Sequence, residues 1–166
     1  MALNPSARSA IQRSQDAERA FAQISVEGNS TATTVSASST DFSNAVEVDV
    51  FDTNGPFFGM TPRQATNDIL VEKFGLYLIQ ARLNFTGTAS DTISAAVFAG
   101  NGTIQVTPRG TITLDSVDLD GEIHLIGFHR LTSGIPTLEL WIQNETSSNN
   151  VTIEDAVLMA LLAEKQ

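Results

Sequence analysis

The sequence predicts an all-β sandwich of about eight strands, preceded by a short helical arm. From residue 30 onward, apolar residues recur at every second position, which is typical of strands with one buried face. Turn-forming groups such as AGNG, DLDG and TSG separate these segments. Strands do not alternate with helical patterns, so a doubly wound parallel sheet is not expected. The length of 166 residues suits one domain with a core of its own.

The first part of the chain favours a helix, which we predict over residues 5–24. Asn4 suits the N-cap and Pro5 fits the first helical position. Ala, Arg, Gln and Glu, which are common in this segment, are good helix formers. The apolar stripe is thin and rich in alanine, so it is too weak to hold a helix in isolation. We therefore divide the chain into a helical arm, residues 1–27, and a head domain, residues 28–166.

Eight segments of the head domain have the pattern of strands. Residues 44–52 show it clearly, with valine at every second position between acidic residues. Residues 53–68 contain two prolines and two glycines and are predicted to form a long loop. The predicted strands cover residues 31–39, 44–52, 69–86, 92–99, 102–114, 122–132, 137–146 and 151–163, with a break in the third near Gly75.

Two of these strands are apolar on both faces. In GLYLIQARLNF, residues 75–85, the second face begins with Leu78 and continues with Gln80. One face of such a strand packs inside the sandwich and the other needs a partner. The inward face of this strand is predicted to carry Tyr77, Ile79, Ala81, Leu83 and Phe85.

The segment 151–163 has two interpretations. It begins with strand alternation and becomes apolar on both faces from Ala156 onward. A helix would also fit, because Val157, Leu158, Leu161 and Leu162 make a stripe at helical spacing. We favour a strand, because a sandwich of this kind requires a central closing strand at that point.

The charge of the chain argues against several kinds of partner. The net charge is −10, and such a body repels nucleic acid phosphates, so DNA or RNA binding is not expected. No apolar run approaches the length of a membrane span, so no membrane partner is expected. The chain has no cysteine and therefore neither a disulfide framework nor a thiolate metal site.

The residue types used in catalysis and metal binding form no recognisable site, so we expect no enzyme and no cofactor. His124 and His129 are an odd number of residues apart on one strand, so they point to opposite faces unless Gly127 introduces a bulge. Three clustered carboxylates in DSVDLDGE, those of Asp118, Asp120 and Glu122, are a weak candidate for calcium. The spacing lacks the remaining ligands of a calcium loop, so a solvated acidic turn is the favoured interpretation.

Phe57 and Phe58 stand out in the predicted loop between two glycines. In one interpretation they tuck under the loop as a satellite core. In the other they contact a neighbouring subunit. The sequence leaves both open.

The stretch GLYLIQARLNF resembles a strand of the tumour necrosis factor fold, the jelly roll that also forms the globular heads of the first complement component. The resemblance is carried by Gly75, Leu76, Tyr77, Leu78, Ile79 and Phe85, with a second similarity at TLELWIQN, residues 137–144. It implies a jelly roll over residues 31–163. It also implies a homotrimer in which the sheet containing this strand faces the threefold axis. On this basis the interface is assigned to Leu78, Gln80, Leu158 and Leu162.

An arm ahead of such a head also resembles virion proteins of tailed bacteriophages, in which trimeric jelly rolls serve as capsid cement or fibre tips. This implies a structural protein, made in the host cytoplasm, that binds the major capsid protein and stabilises the outer surface of the virion. Attachment is assigned to Arg8, Ile11, Arg19 and Phe21 on the arm. The alternative is a trimeric fibre head that recognises a host glycan or protein, and the third class is a hydrolase.

Overall fold

The computed structural model describes residues 19–35, 42–116, 119–132 and 137–165. Apart from one turn of 3-10 helix, Gln64–Thr66, the regular structure in this part of the chain consists of strands. The strands are β1 (Phe21–Val26), β2 (Ala32–Thr33), β3 (Val46–Glu47), β4 (Thr53–Asn54), β5 (Met60–Arg63), β6 (Asp68–Val71), β7 (Gly75–Thr86), β8 (Thr92–Ala99), β9 (Ile104–Gln105), β10 (Gly110–Thr113), β11 (Asp120–Leu131), β12 (Thr137–Asn144) and β13 (Val151–Lys165).

The strands form two antiparallel sheets that pack face to face. In the first sheet the order is β11-β7-β13-β1-β4, and β2 also pairs with β13. In the second sheet the order is β10-β8-β12-β6-β5, with β3 on β12 and β9 on β8. Consecutive strands repeatedly switch sheets, which is the connectivity of a jelly-roll sandwich. The prediction of an all-β sandwich is confirmed.

The core lies between the two sheets and follows the period of two. On β7 the side chains of Tyr77, Ile79 and Leu83 have no exposed surface. They face the equally buried Leu138 and Leu140 of β12. The hydroxyl of Tyr77 donates a hydrogen bond to the Lys73 carbonyl at 2.6 Å, so the polar atom of this buried ring is satisfied. The inward face predicted for GLYLIQARLNF is therefore correct.

The predicted helix over residues 5–24 is wrong at its end, because Phe21–Val26 forms strand β1. Residues 1–18, which include Arg8 and Ile11, lie outside the described residues. Ala22, Ile24 and Val26 are buried, and β1 pairs along its whole length with β13. Tertiary pairing has overridden the helix propensity of Ala and Gln. The head therefore includes β1, and Phe21 belongs to a sheet of the head.

Residues 151–165 form strand β13, so the strand interpretation of the segment 151–163 is correct, but the face assigned to two leucines is wrong. Leu158 has no exposed surface and Leu162 is 8% exposed, since both point into the core. A register shift between Ile153 and Asp155 inserts one extra residue and reverses which positions point inward. Leu158 and Leu162 are therefore core residues, and the outward positions are those between them.

Residues 53–68 are not one loop. They contain β4, β5 and the 3-10 turn, and they close the edges of both sheets. Pro62 lies in β5, which is an edge strand, where a missing backbone N–H is tolerated. The predicted strands at 44–52 and 102–114 are shorter than expected, since the first is reduced to Val46–Glu47 and the second is split into β9 and β10. Within the described residues 31–35 of the predicted strand at 31–39, only Ala32–Thr33 is strand.

Candidate functional site

An unbroken row of apolar side chains crosses the outer face of the first sheet. Phe21 pairs with Leu161, Leu161 with Leu78, and Leu78 with Phe128. At the other end, Phe58 bridges to Phe21 through two backbone hydrogen bonds of 2.8 Å. Directly opposed residues on paired strands point to the same side of a sheet, so these five side chains lie on one face.

A second row runs beside the first and is mixed in character. It contains Gln23, Met159, Gln80 and Ile126, which are also linked by direct pairing. We call the two rows together the apolar band. Ile126 is 59% exposed, Phe128 64% and Leu161 47%. A soluble monomer rarely leaves a contiguous surface of this kind uncovered.

Beyond the apolar band the same face becomes charged. Glu122 Oε1 accepts a hydrogen bond from Arg82 Nε at 2.7 Å and lies 2.9 Å from His124 Nε2. The hydrogen bond with His124, together with the positive charge of Arg82, lowers the pKa of Glu122. Asn84 and Asp155 continue this region along the paired strands. The face is therefore graded, with apolar side chains at one end and carboxylates at the other.

The structure describes only two of the three carboxylates of the weak calcium candidate. Asp118 lies outside the described residues. Asp120 Oδ1 accepts a hydrogen bond from Thr86 Oγ1 at 3.3 Å, and Glu122 is engaged by Arg82. In the part of the chain that the structure describes, no group of three or more His, Asp or Glu side chains is placed to hold a metal ion.

The two histidines point to opposite faces of β11. The pairing of β11 with β7 runs without a shift from Asp120 to Leu131, so Gly127 introduces no bulge. His124 lies on the exposed outer face beside Arg82, and His129 points to the other side at the end of the strand. The structure does not bring the two imidazoles together.

The remaining predicted site residues fall in three places. Leu78 and Gln80 lie on the outer face, in the apolar band. Phe57 and Phe58 are 57% and 46% exposed, so they do not form a satellite core under a loop. Arg19 lies two residues before the start of β1, at the end of the sheet where Phe58 lies.

The other members of the apolar band were not predicted from the sequence. Ile126 and Phe128 lie on the same face of β11 as the polar Glu122 and His124. The change from polar to apolar residues along this face of the strand could have indicated them. Met159 and Leu161 were hidden by the register shift in β13.

A second cluster of carboxylates lies on the outer face of the other sheet. Glu139 is 3% exposed, and its Oε2 accepts a hydrogen bond from the backbone N–H of Gly102 at 2.8 Å. Asp68 forms two hydrogen bonds of 2.6 Å with Arg63. Burial raises the pKa of Glu47 to about 7, and the negative charges of Glu139, Asp68 and Asp49 add to the effect. These bonds secure turns and edges, so we regard the cluster as structural.

The raised pKa of Glu47 makes stability depend on pH. Because the pKa of Glu47 in the folded state lies above its ordinary value of 4.5, the protonated carboxyl stabilises the fold below pH 4.5, and this contribution is lost as the pH rises through 7. We expect the free energy of unfolding of Glu47→Gln at pH 8 to exceed that of the wild type by about 1–2 kcal/mol, after allowance for solvent screening. Near pH 4 the two should be equally stable. Urea unfolding at both pH values measures this, with the exposed Glu27→Gln as control. An equal gain for both variants would contradict the assignment.

No protein-family model matches the sequence, and no curated protein matches it. Solved structures do. Murine APRIL at pH 5.0 superposes with a TM-score of 0.58 at 14% identity, covering 87% of this chain and 98% of that chain. The globular domain of zebrafish complement 1qA gives 0.50 at 9% identity, with 89% and 99% covered. The chain has the jelly roll of the tumour necrosis factor and complement-head proteins. At these identities the likeness is one of fold.

The PRD1 vertex protein P5 shares this jelly roll. It superposes with a TM-score of 0.53 at 12% identity, over 89% of this chain and 73% of that chain. In this chain the apolar band lies on the sheet that contains GLYLIQARLNF. No helix in the described part of the chain has the length and apolarity needed to cross a bilayer.

Proposed function

We propose that the chain is a structural virion protein, a homotrimeric cement or decoration protein on the outer surface of a capsid. The observation that carries the proposal is the apolar band on the outer face of the first sheet. A structural role accounts for this surface without catalysis or a cofactor. In this proposal the protein is made in the host cytoplasm and binds the major capsid protein of the assembled shell.

The position of the apolar band supports a cyclic trimer. A closed ring requires a heterologous contact, in which two different patches of one subunit meet those of its neighbours. The apolar band offers two such patches at the two sides of one face: Ile126 with Phe128 on edge strand β11, and Phe21 with Leu161 where β1 pairs with β13. Burying a large apolar side chain contributes about 1.5–3 kcal/mol, so several such side chains per contact suffice for stable association.

The virion context rests on a fold likeness and on the arm. The jelly roll resembles that of the vertex protein of PRD1, which supports a place in a virus particle. Residues 1–18 enter the head at Arg19, beside the apolar band, so an arm bound to the capsid would hold this end of the head against the shell. We propose that residues in this arm, with Arg8 and Ile11 among them, make the attachment.

A second candidate is a trimeric fibre or spike head that binds a host glycan or protein. The likeness to a vertex protein favours it, since a vertex holds few copies compared with the shell. Both candidates share the trimer and differ in copy number and ligand.

Quantitative mass spectrometry of purified particles tests the proposal. We expect a copy number comparable to that of the major capsid protein and no binding of the isolated head to a glycan array. A few copies per particle with glycan binding would establish the fibre head instead. Absence from purified particles would overturn both.

A further inference from the structure

We propose that one corner of the head, formed by Arg19, Phe57, Phe58 and Lys73, docks onto an acidic surface of the capsid protein. This inference rests on the proposed virion function and adds the contact surface and the chemistry of the partner. We call these four residues the basic aromatic corner. It lies where residues 1–18 join the head, next to the apolar band.

The basic aromatic corner is fixed in place before any partner arrives. Phe58 is held against Phe21 by backbone hydrogen bonds in both directions, each of 2.8 Å. Lys73 Nζ donates a hydrogen bond to the Arg19 carbonyl at 2.8 Å and lies 5.2 Å from the centre of the Phe58 ring. A rigid contact surface loses little conformational entropy on binding, so this arrangement is suited to recognition.

Phe57 projects from this corner because of a local irregularity in the sheet edge. The N–H of Gly55 bonds to the Gln23 carbonyl, and Phe58 pairs with Phe21. Two residues therefore lie opposite Ala22, which is the arrangement of a β-bulge. Bulges re-aim side chains at sheet edges, and Phe57, at 57% exposure, is one of the most exposed aromatic side chains in the described residues.

Gly59 allows the chain to pass close to the lysine. Its φ is +64°, and a Cβ here would lie 2.9 Å from Lys73 Nζ and 3.0 Å from the Arg19 carbonyl oxygen. Only glycine combines this backbone conformation with this close approach. The local sequence FFGM thus leaves both aromatic rings exposed and allows Lys73 to lie against the Phe58 ring.

Charge along the head indicates the chemistry of the partner. Although the net charge is −10, this end of the first sheet carries the cationic residues Arg19, Lys73, Arg130 and Lys165 against the acidic Glu72 and Glu164. The opposite end carries the acidic Glu27, Asp120, Glu122, Glu154 and Asp155 against the cationic Arg82. An acidic shell surface would attract the first end and repel the second, so the charge would orient the head as well as bind it.

A protein surface fits this corner better than an anionic membrane. Two rings on a rigid sheet edge match a shaped pocket, since buried aromatic anchors surrounded by charges are typical of protein interfaces. The arm and the corner are adjacent, so binding of one raises the effective concentration of the other.

The test uses virus particles that lack this protein, purified from the virus that encodes it. The full chain is added back to these particles and its affinity for them is measured. We expect Phe57→Ser to lower the affinity for particles at least tenfold and Lys73→Met to lower it severalfold, with a smaller salt dependence for the lysine variant. Ile104→Ser, which changes an exposed apolar residue on the second sheet, is the matched control and should bind as the wild type does. Light scattering and thermal unfolding confirm that each variant is a folded trimer.

The outcomes separate this inference from the function on which it rests. If the wild type does not bind particles, the proposed function fails and this inference falls with it. If the wild type, Phe57→Ser and Lys73→Met all bind equally well, docking through the basic aromatic corner is excluded, while the proposed virion function stands. Vesicles of phosphatidylcholine and phosphatidylserine in equal parts are the comparison surface. If Phe57→Ser abolishes binding to these vesicles and leaves particle binding unchanged, the partner is a membrane and the proposal is overturned.

Discussion

Replacing Leu161 with aspartate is expected to convert the trimer into a folded monomer, whereas the same change at Leu162 is expected to prevent folding. Leu161 lies in the apolar band and is 47% exposed, while Leu162 points into the core at 8%. An aspartate at 161 would bury a negative charge in each subunit contact, with no positive charge to pair with it. At 162 it would bury a carboxylate among apolar side chains. We expect the loss of folding free energy to be about 4 kcal/mol or more, which is the range of the most severe single substitutions.

Light scattering and near-ultraviolet circular dichroism distinguish these two results. The wild type should show three times the mass of one chain, and Leu161→Asp the mass of one chain with an unchanged spectrum. If Leu161→Asp remains a trimer, the apolar band is not the interface. A wild-type monomer at micromolar concentration would refute the trimer itself.

Removing residues 1–18 is expected to leave a folded trimer that no longer binds particles. This deletion ends before Arg19 and keeps β1, which pairs with β13 along its whole length. Binding should fall by at least a hundredfold if the arm supplies most of the attachment, measured by co-sedimentation with particles that lack the protein.

A longer deletion provides the contrast. Removing residues 1–26 would take away β1 and the buried side chains of Ala22, Ile24 and Val26. That variant should not fold, because the gap would open one side of β13 and expose the core. Full particle binding by the shorter deletion would move the attachment to the basic aromatic corner alone.

The inward face of β7 was predictable because nothing interrupts its alternation. From Tyr77 to Phe85 every second residue is apolar and buried, so the period of two gave the correct face directly. The same reasoning failed on β13. Val151 and Ile153 are buried, and continuing their parity places Leu158 on the outside. One extra residue near Asp155 reverses the parity, and the backbone irregularity leaves no mark in composition.

Strand β1 could not be recognised from local preference. Phe21–Val26 does alternate, with Ala22, Ile24 and Val26 inward, but it follows a segment rich in helix formers. Its conformation is decided by β13, far away in sequence, since the two strands satisfy each other's backbone groups. Likewise, the meeting of Phe21 and Phe58 depends on a sheet edge that the proline and glycine content of residues 53–68 concealed.

The central position of β13 has a consequence for synthesis. It follows every other strand of the domain in sequence, yet it lies between β7 and β1 and also pairs with β2. It is synthesised after the strands that flank it, so the first sheet cannot close before this segment has left the ribosome. A translation product interrupted before β13 would lack the strand that joins β7 to β1. Such a product could not form the outer face that carries the apolar band, so assembly through this face would be limited to chains that contain β13.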